Sequence, residues 1–356
     1  MFRTDLPYPV ASETGNSELA SATRRLFKIV EEQLGDVDPA TFTVFDMMKV
    51  PELHQIFATA FRLQAAVQDP KTLSRAIWGS IPAQQCWQQA AWRMNGRRVY
   101  DLAPALTADL LQTSLARLSG DEIPFPTTSF YLRVSDSARL GLNIWNVMSG
   151  EHRLDGFYVS VRDDVMNVLA AGFPHEGSVE GDDALCTYAI DLKHPDLEEQ
   201  IEKIATNSAD KLEENANRIH DWLRIIFGFC LYLTCDDFDV EKQRLGPTPA
   251  LRDKARKLGG KPGKKLLEMA TLPVHYLRVG FREKPNKELE AVAGADDEVK
   301  KLTKRFIVRG HFRRQAHGPG RTERKTIFVR SFWKGPPWGE IAASITKVRN
   351  PRGSDD

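Results

Sequence analysis

One long amphipathic segment near the middle of the chain, residues 196–233, limits the possible folds more than any other part of the sequence. Asp196 can accept a hydrogen bond from the first helical turn, and Glu199 stands three residues later, at the spacing of a capping box. An apolar stripe of helical period follows, and from Ile225 to Leu233 the segment is apolar on every side. These features predict a long helix whose carboxyl-terminal end is enclosed by a hydrophobic core.

Five short segments precede this helix, and each is rich in aromatic or β-branched residues and bounded by turn residues. They cover residues 128–134, 140–145, 156–162, 165–171 and 185–192. Their close spacing leaves no room for intervening helices, so they predict an antiparallel meander rather than alternating strands and helices. Together with the long helix they predict an α+β fold.

The remaining sequence predicts a helical region before this sheet and a β module after it. Apolar residues recur at helical spacing over about 19–34, 53–63, 86–94 and 107–118. Near the other end, a strand over 274–281 precedes a hairpin of strands 305–314 and 325–333, joined by a loop of roughly ten residues. The predicted organisation is a helical region (1–120), the antiparallel sheet with the long helix (121–243), a basic Gly- and Pro-rich linker or loop (244–272) and a basic β-hairpin module (273–350).

The amino-acid composition indicates the cellular compartment of the protein and the kinds of metal or membrane site it can contain. The four cysteines form no CxxC pair and have no histidines at zinc-binding spacing, which is typical of free thiols in a reducing cytoplasm. The longest apolar run, 225–233, is shorter than the roughly 20 residues needed to cross a bilayer. The first ten residues lack the chemistry of a signal peptide. We therefore expect a cytoplasmic protein with no membrane contact, no metal and no cofactor.

Charge is distributed very unevenly along the chain. From residue 244 to the end there are 27 Lys and Arg against 12 Asp and Glu, a net charge of +15, whereas residues 1–243 carry −14. A basic half of this kind attracts phosphate groups or acidic protein surfaces. The alternative is that the two halves of the chain attract each other.

The predicted hairpin concentrates this positive charge. Residues 300–334 contain twelve Lys and Arg and one acid, Glu323. Alternation along a strand separates a cationic side from an apolar side with Phe306, Val308 and Phe312. Arginine pairs two phosphate or carboxylate oxygens at once, and aromatic rings offer stacking surfaces for bases. The predicted partner- or nucleic-acid-binding residues are Arg309, His311, Arg313, Arg314, His317, Arg321, Arg330 and Trp333.

The evidence for enzyme chemistry is weaker. His311 and His317 fit no standard metal-ligand spacing, although a histidine pair held across a phosphate could cleave RNA without a metal. Adjacent carboxylates, such as Asp163 and Asp164, point to opposite faces of a strand and predict turns or caps. Phosphate-loop, nucleophile-elbow and zinc-helix motifs do not occur. We therefore predict no catalytic residues, with a metal-independent ribonuclease using His311 and His317 as the alternative.

Several motifs resemble a type V-A anti-CRISPR family, the one whose members lower the messenger RNA of the single-subunit effector nuclease. The resemblance is carried by residues 307–314 (IVRGHFRR), 318–321 (GPGR), 327–329 (IFV) and 332–333 (FW), with weaker echoes at 124–132, 155–158 and 225–237. Residues 1–120 do not take part in it.

The resemblance implies a protein of phages or other mobile elements that recognises an N-terminal peptide of the nuclease during translation. Loss of the encoding messenger RNA then follows, without a known active site in the inhibitor. We expect a non-enzymatic binding protein whose body binds a peptide or protein partner and whose basic hairpin contacts RNA, the ribosome or an acidic partner. A purely structural role is the remaining alternative, and it requires the basic hairpin to pack against the acidic half.

Overall fold

A computed structural model describes most of the chain. The described residues are 7–14, 18–53, 81–113, 120–146, 149–174, 183–194, 196–235, 238–243, 245, 249–270, 274–281, 304–308, 311–329, 332–334 and 340–341. Nearly all of the predicted helix over 53–63 and the end of the helix predicted to reach residue 118 lie outside these ranges.

The helices are α1 (Tyr8–Thr14), α2 (Glu18–Leu34), α3 (Val44–Met48), α4 (Ile81–Met94), α5 (Pro104–Leu111), α6 (Leu197–Tyr232), α7 (Pro249–Leu258) and α8 (Gly260–Ala270). The strands are β1 (Arg98–Leu102), β2 (Ser129–Val134), β3 (Asn143–Asn146), β4 (Gly150–Arg162), β5 (Val165–Phe173), β6 (Ala184–Asp191), β7 (Val240–Gln243), β8 (His275–Val279), β9 (Lys304–Val308), β10 (His311–His317), β11 (Glu323–Val329), β12 (Phe332–Lys334) and β13 (Glu340–Ile341). Both element types are abundant, and the predicted α+β class is confirmed.

The long helix predicted from the sequence is α6, which runs for 36 residues. Its amino-terminal cap forms as the sequence indicates, because the backbone N–H of Glu199 donates to Asp196 Oδ1 at 3.1 Å. At the other end, the largest buried cluster among the described residues includes Ile225, Ile226, Phe227, Phe229 and Cys230. The helix is therefore held by the core at the end where the sequence is apolar all round.

The central sheet has eight strands, in the order β6-β5-β4-β2-β1-β8-β7, with β3 paired to β4. The pairs from β2 through β6 are antiparallel, as predicted. Strand β1, which the sequence did not predict, pairs in parallel with both β2 and β8, so the sheet as a whole is mixed. Helix α5 leads the chain back from the end of β1, so that β2 can run in the same direction.

Helices cover both faces of this sheet. Helices α5 and α6 pack on one face, where the largest core cluster lies. Helices α1 and α4 cover the other face, in a cluster with Tyr131, Tyr158 and Tyr276. Helices α2 and α3 pack on the outer side of α4. Residues 1–120 are thus not wholly helical, since β1 belongs to the central sheet.

Two corrections concern the basic half of the chain. Residues 249–270, predicted as part of a linker or loop, form the helices α7 and α8. Pro249 and Pro262 lie in the first turns of these helices, where the missing N–H and the fixed φ of proline are tolerated. The predicted long hairpin is divided: β10 pairs with β11, and β9 pairs with β12 and β13 in a separate three-stranded sheet. Residues 318–322 join β10 to β11, so the loop is half the predicted length.

Candidate functional site

The hairpin β10–β11 is fixed to the body by aromatic side chains. Phe312 and Phe328 are partners across the two strands, and their rings stack with centroids 4.8 Å apart. The ring of Tyr232, at the end of α6, meets Phe328 edge-on at 6.2 Å. Both phenylalanines pack against the largest core cluster. One side of the hairpin is therefore anchored, as the alternation of residues predicts.

The hairpin arginines whose side chains the structure describes face solvent. Arg313, Arg321 and Arg324 are exposed. The guanidinium of Arg313 donates to Gln315 Oε1 at 2.9 Å. Among the residues that the structure describes, no carboxylate lies within ion-pair distance of these three side chains. Their positive charge is therefore displayed on this part of the molecule, and Arg324 is a cation that the sequence did not single out.

The two histidines lie at opposite ends of β10. Their separation of six residues corresponds to about 20 Å along an antiparallel strand. His317 Nε2 lies 3.2 Å from Glu323 Oε2, its neighbour across the hairpin. Both rings are half-buried. At this separation the two imidazoles cannot flank one phosphate group.

The other predicted site residues divide into two groups. Arg309 and Arg330 lie outside the described residues. In the backbone pairing of the strands, Arg314 is opposite Thr326 in the hairpin, and Trp333 is opposite Ile307 in the three-stranded sheet. The hairpin therefore brings together the predicted residues from His311 to Arg321, while Trp333 belongs to a neighbouring sheet.

A polar network under α1 is the main feature that the sequence did not reveal. Asp155 is 5% exposed and accepts three hydrogen bonds. The donors are the backbone N–H of Tyr8 at 2.8 Å, the hydroxyl of Tyr131 at 2.7 Å and the guanidinium of Arg133 at 3.3 Å. The first of these is a main-chain group from the start of the chain, so this carboxylate fixes the amino-terminal segment to the sheet.

The network continues to a second buried carboxylate. Asp101 accepts hydrogen bonds from the hydroxyls of Tyr276 and Ser135, and Arg133 Nη1 donates to the Tyr276 hydroxyl at 3.3 Å. Burial raises the pKa of Asp101, although Arg133 opposes this shift. Burial alone would lower the pKa of Arg133, but Asp155, Tyr276 and Asp101 together raise it above its ordinary value. The guanidinium therefore stays charged.

Charged residues continue in register across the neighbouring strands. Arg133, Asp101, Arg278 and Glu241 stand side by side on β2, β1, β8 and β7. They lie at the carboxyl ends of the three parallel strands, where ligands bind in many sheets of this kind. Pairs of opposite charge at such an edge can hold main-chain or charged groups of a bound segment. The sequence could have indicated this network through the charged residues on otherwise apolar strands, because a charge that is buried requires a partner.

The described residues contain no cluster of His, Cys, Asp or Glu suited to a metal ion. All four cysteines are free. Within the same ranges no helix is long and apolar enough to cross a membrane.

Fold and surfaces together define a class of protein, an α+β body with helices on both faces of a mixed sheet and an attached basic hairpin. The model of the AcrVA2-like family, the anti-CRISPR type V subtype A2 family, matches residues 100–333. The match covers more than half of the chain, and the protein belongs to this family. Membership supports the predicted anti-CRISPR role and implies a protein partner in general.

One similar solved structure is described as the crystal structure of AcrVA2. It is 13% identical, the alignment covers 88% of this chain and 93% of that chain, and the TM-score is 0.40. No curated protein matches.

Proposed function

We propose that this anti-CRISPR protein recognises an N-terminal peptide of a type V-A effector nuclease during translation and thereby lowers the nuclease messenger RNA. In this proposal the inhibitor is a binding protein of phage or mobile-element origin and not an enzyme. The observation that carries the proposal is the family match over residues 100–333, because it spans both the sheet body and the basic hairpin.

The body of the protein is the proposed peptide-binding part. Its support is chemical: the buried Asp155 holds a main-chain N–H of this chain, from Tyr8, at 2.8 Å, which is the kind of contact that a carboxylate on this face makes with a peptide backbone. The charged row on β2, β1, β8 and β7 adds both signs of charge beside it. A peptide offers main-chain donors and charged termini, which such groups bind well.

The basic hairpin is the proposed contact with RNA, the ribosome or an acidic partner, through Arg309, His311, Arg313, Arg314, Arg321 and Arg330. The exposure of Arg313 and Arg321 supports this assignment. Against the alternative that the acidic half neutralises the hairpin, neither of these two side chains forms an ion pair with a carboxylate in the described ranges.

The ribonuclease alternative loses support from the geometry. General acid–base cleavage requires both groups within hydrogen-bond reach of one phosphate. His311 and His317 stand at opposite ends of a seven-residue strand, about 20 Å apart. A role for either histidine in binding remains compatible with this arrangement.

The test separates recognition of peptide from recognition of nucleotide sequence. Three reporters carry the first codons of the nuclease: with natural codons, with synonymous codons, and with the natural nucleotides shifted by one frame. The reporter messenger RNA is quantified with and without the protein. We expect loss of messenger RNA for the first two reporters and none for the third, since only the first two encode the peptide. A loss that follows the nucleotides instead would refute peptide recognition.

The hairpin is tested in the same assay with the triple variant Arg313→Gln, Arg321→Gln and Arg324→Gln. We expect less loss of messenger RNA and unchanged binding of the peptide by the purified protein. The matched control neutralises three exposed cations elsewhere, Lys28, Lys49 and Arg139. If the control is as defective as the hairpin variant, net charge and not the hairpin is responsible.

A further inference from the structure

The helix pair α7–α8, residues 249–270, is a second basic element, and no role has been assigned to it. It contains seven Lys and Arg and two acids. All seven cations are exposed: Arg252, Lys254, Arg256, Lys257, Lys261, Lys264 and Lys265. Asp253 pairs with Arg256 at 3.0 Å, one turn away on the same helix.

The two helices pack against each other beside their connection. Ala255 of α7 is buried, and Gly263 of α8 lies against it, since a Cβ on this glycine would come within 2.3 Å of the Ala255 carbonyl oxygen. Gly259 and Gly260 make the tight connection with φ values of +58° and +48°, where glycine is favoured. The cations therefore project from fixed helical positions and not from a loose loop.

The spacing of the cations is unfavourable for the isolated helices. On α8, Lys261 lies three residues from Lys264 and four residues from Lys265. Like charges at this spacing lie on the same side of a helix and repel each other. An anionic partner along the helix pair would remove this cost.

The amino-acid composition of the α7–α8 helix pair indicates which class of anionic partner it fits. Residues 249–270 contain no aromatic residue and no Asn, Gln, Ser or Thr. Protein interfaces are enriched in aromatic residues and depleted of lysine, so an acidic protein is a poor match. Side chains for base-edge hydrogen bonds or base stacking are also missing, apart from the cations themselves. The phosphate backbone of a double helix needs only regularly placed cations.

We propose that the α7–α8 helix pair binds the phosphate backbone of double-stranded RNA without sequence preference. The choice of RNA over DNA rests on the proposed function, whereas the charge argument does not depend on it. The surface is separate in sequence from the hairpin β10–β11, and each can be altered without the other.

The test uses the full-length protein and a 20-base-pair RNA duplex. The variant neutralises the cations nearest the connection and on α8: Lys257→Gln, Lys261→Gln, Lys264→Gln and Lys265→Gln. If these four lysines each neutralise one phosphate, they account for about a 150-fold fall in affinity between 50 and 200 mM salt. We expect the variant to bind about 10-fold or more weakly at 100 mM salt, and its log–log salt dependence to be shallower by about 4.

Two control variants make the result decisive. The four Lys→Arg substitutions should retain binding, which shows that positive charge at these positions is what the duplex requires. Neutralising Lys28, Lys49, Arg139 and Lys193, four exposed cations elsewhere, should leave affinity nearly unchanged. The nuclease peptide is absent from this assay, so its outcome is independent of peptide recognition.

The proposal is overturned if the α7–α8 variant keeps its affinity and salt dependence, or if the control variant loses as much. A DNA duplex of the same sequence that binds equally well overturns the assignment to RNA. Polyglutamate that competes as well as RNA, at equal charge, assigns the surface to an acidic polypeptide instead.

Discussion

Replacing Asp155 by Asn tests whether the polar network holds the amino-terminal segment to the sheet. Asp155 is 5% exposed, and the side chain of its partner Arg133 is 14% exposed. The amide oxygen of Asn can still accept from Tyr8 and Tyr131, but its NH₂ group then faces the guanidinium. Removing one charge from a buried pair costs about 3–5 kcal/mol.

The expected loss is smaller than this because Arg133 keeps its contact with Tyr276 and the attraction of Asp101. We therefore expect Asp155→Asn to lower the free energy of unfolding by about 2–4 kcal/mol. Tyr131→Phe, which removes one hydroxyl donor from the same carboxylate, should cost about 1 kcal/mol. Urea denaturation measures both losses, with the m-value as a check on two-state unfolding.

A double-mutant cycle with Arg133→Gln separates the ion pair from the other contacts. In the double variant two neutral amides face each other, and neither member of the Asp155–Arg133 pair is left charged without the other. The loss should therefore be smaller than the sum of the single losses by at least about 1 kcal/mol. Strict additivity, or a loss below about 1 kcal/mol for Asp155→Asn, would show that the network contributes little to stability.

Three further predictions concern the body of the protein. Asp101→Asn should gain stability relative to the parent protein as pH rises above about 4, the ordinary pKa of an aspartate. Burial raises the pKa of Asp101 in the folded protein, so the parent loses stability as this carboxyl is forced to give up its proton, which urea denaturation at each pH will detect. Gly156→Ala should cost more than about 2 kcal/mol, because the new Cβ would lie 2.2 Å from the Leu132 carbonyl oxygen on β2; a normal melting temperature would contradict this. Burial raises the pKa of the Cys86 and Cys230 thiols, so thiol reagents should label them only after unfolding, and rapid labelling of the folded protein would show that they are accessible.

The sequence predicts those elements whose signal is local. Helix α6 has its cap and its apolar stripe within one segment, and β2, β4, β5 and β6 follow one another with short turns. Strand β1 was missed because it is short, includes Asp101, and pairs with β8, which lies more than 170 residues away in the chain. Parallel pairing of this kind leaves no local pattern.

Prediction from the sequence fails where the same residue types occur both in linkers and at the ends of helices. Pro249, Gly259, Gly260 and Pro262 resemble the composition of a linker, yet the two prolines lie in the first turns of helices and the two glycines form the connection between them. The network around Asp155 was not predicted from the sequence for a different reason. Its members come from α1, β1, β2, β4 and β8, and only the folded sheet brings them together.

The charge division along the chain does not correspond to two separate bodies. Strand β8 follows the basic helix pair and precedes the basic hairpin, and it lies inside the central sheet beside β1. Its Tyr276 bonds to Asp101 and Arg133 in the polar network. Farther along, Phe312 and Phe328 fix the hairpin to the core at the end of α6. Because the polar network joins β8 to the other strands and the hairpin packs on the same core, both lie on one sheet although they come from differently charged parts of the chain.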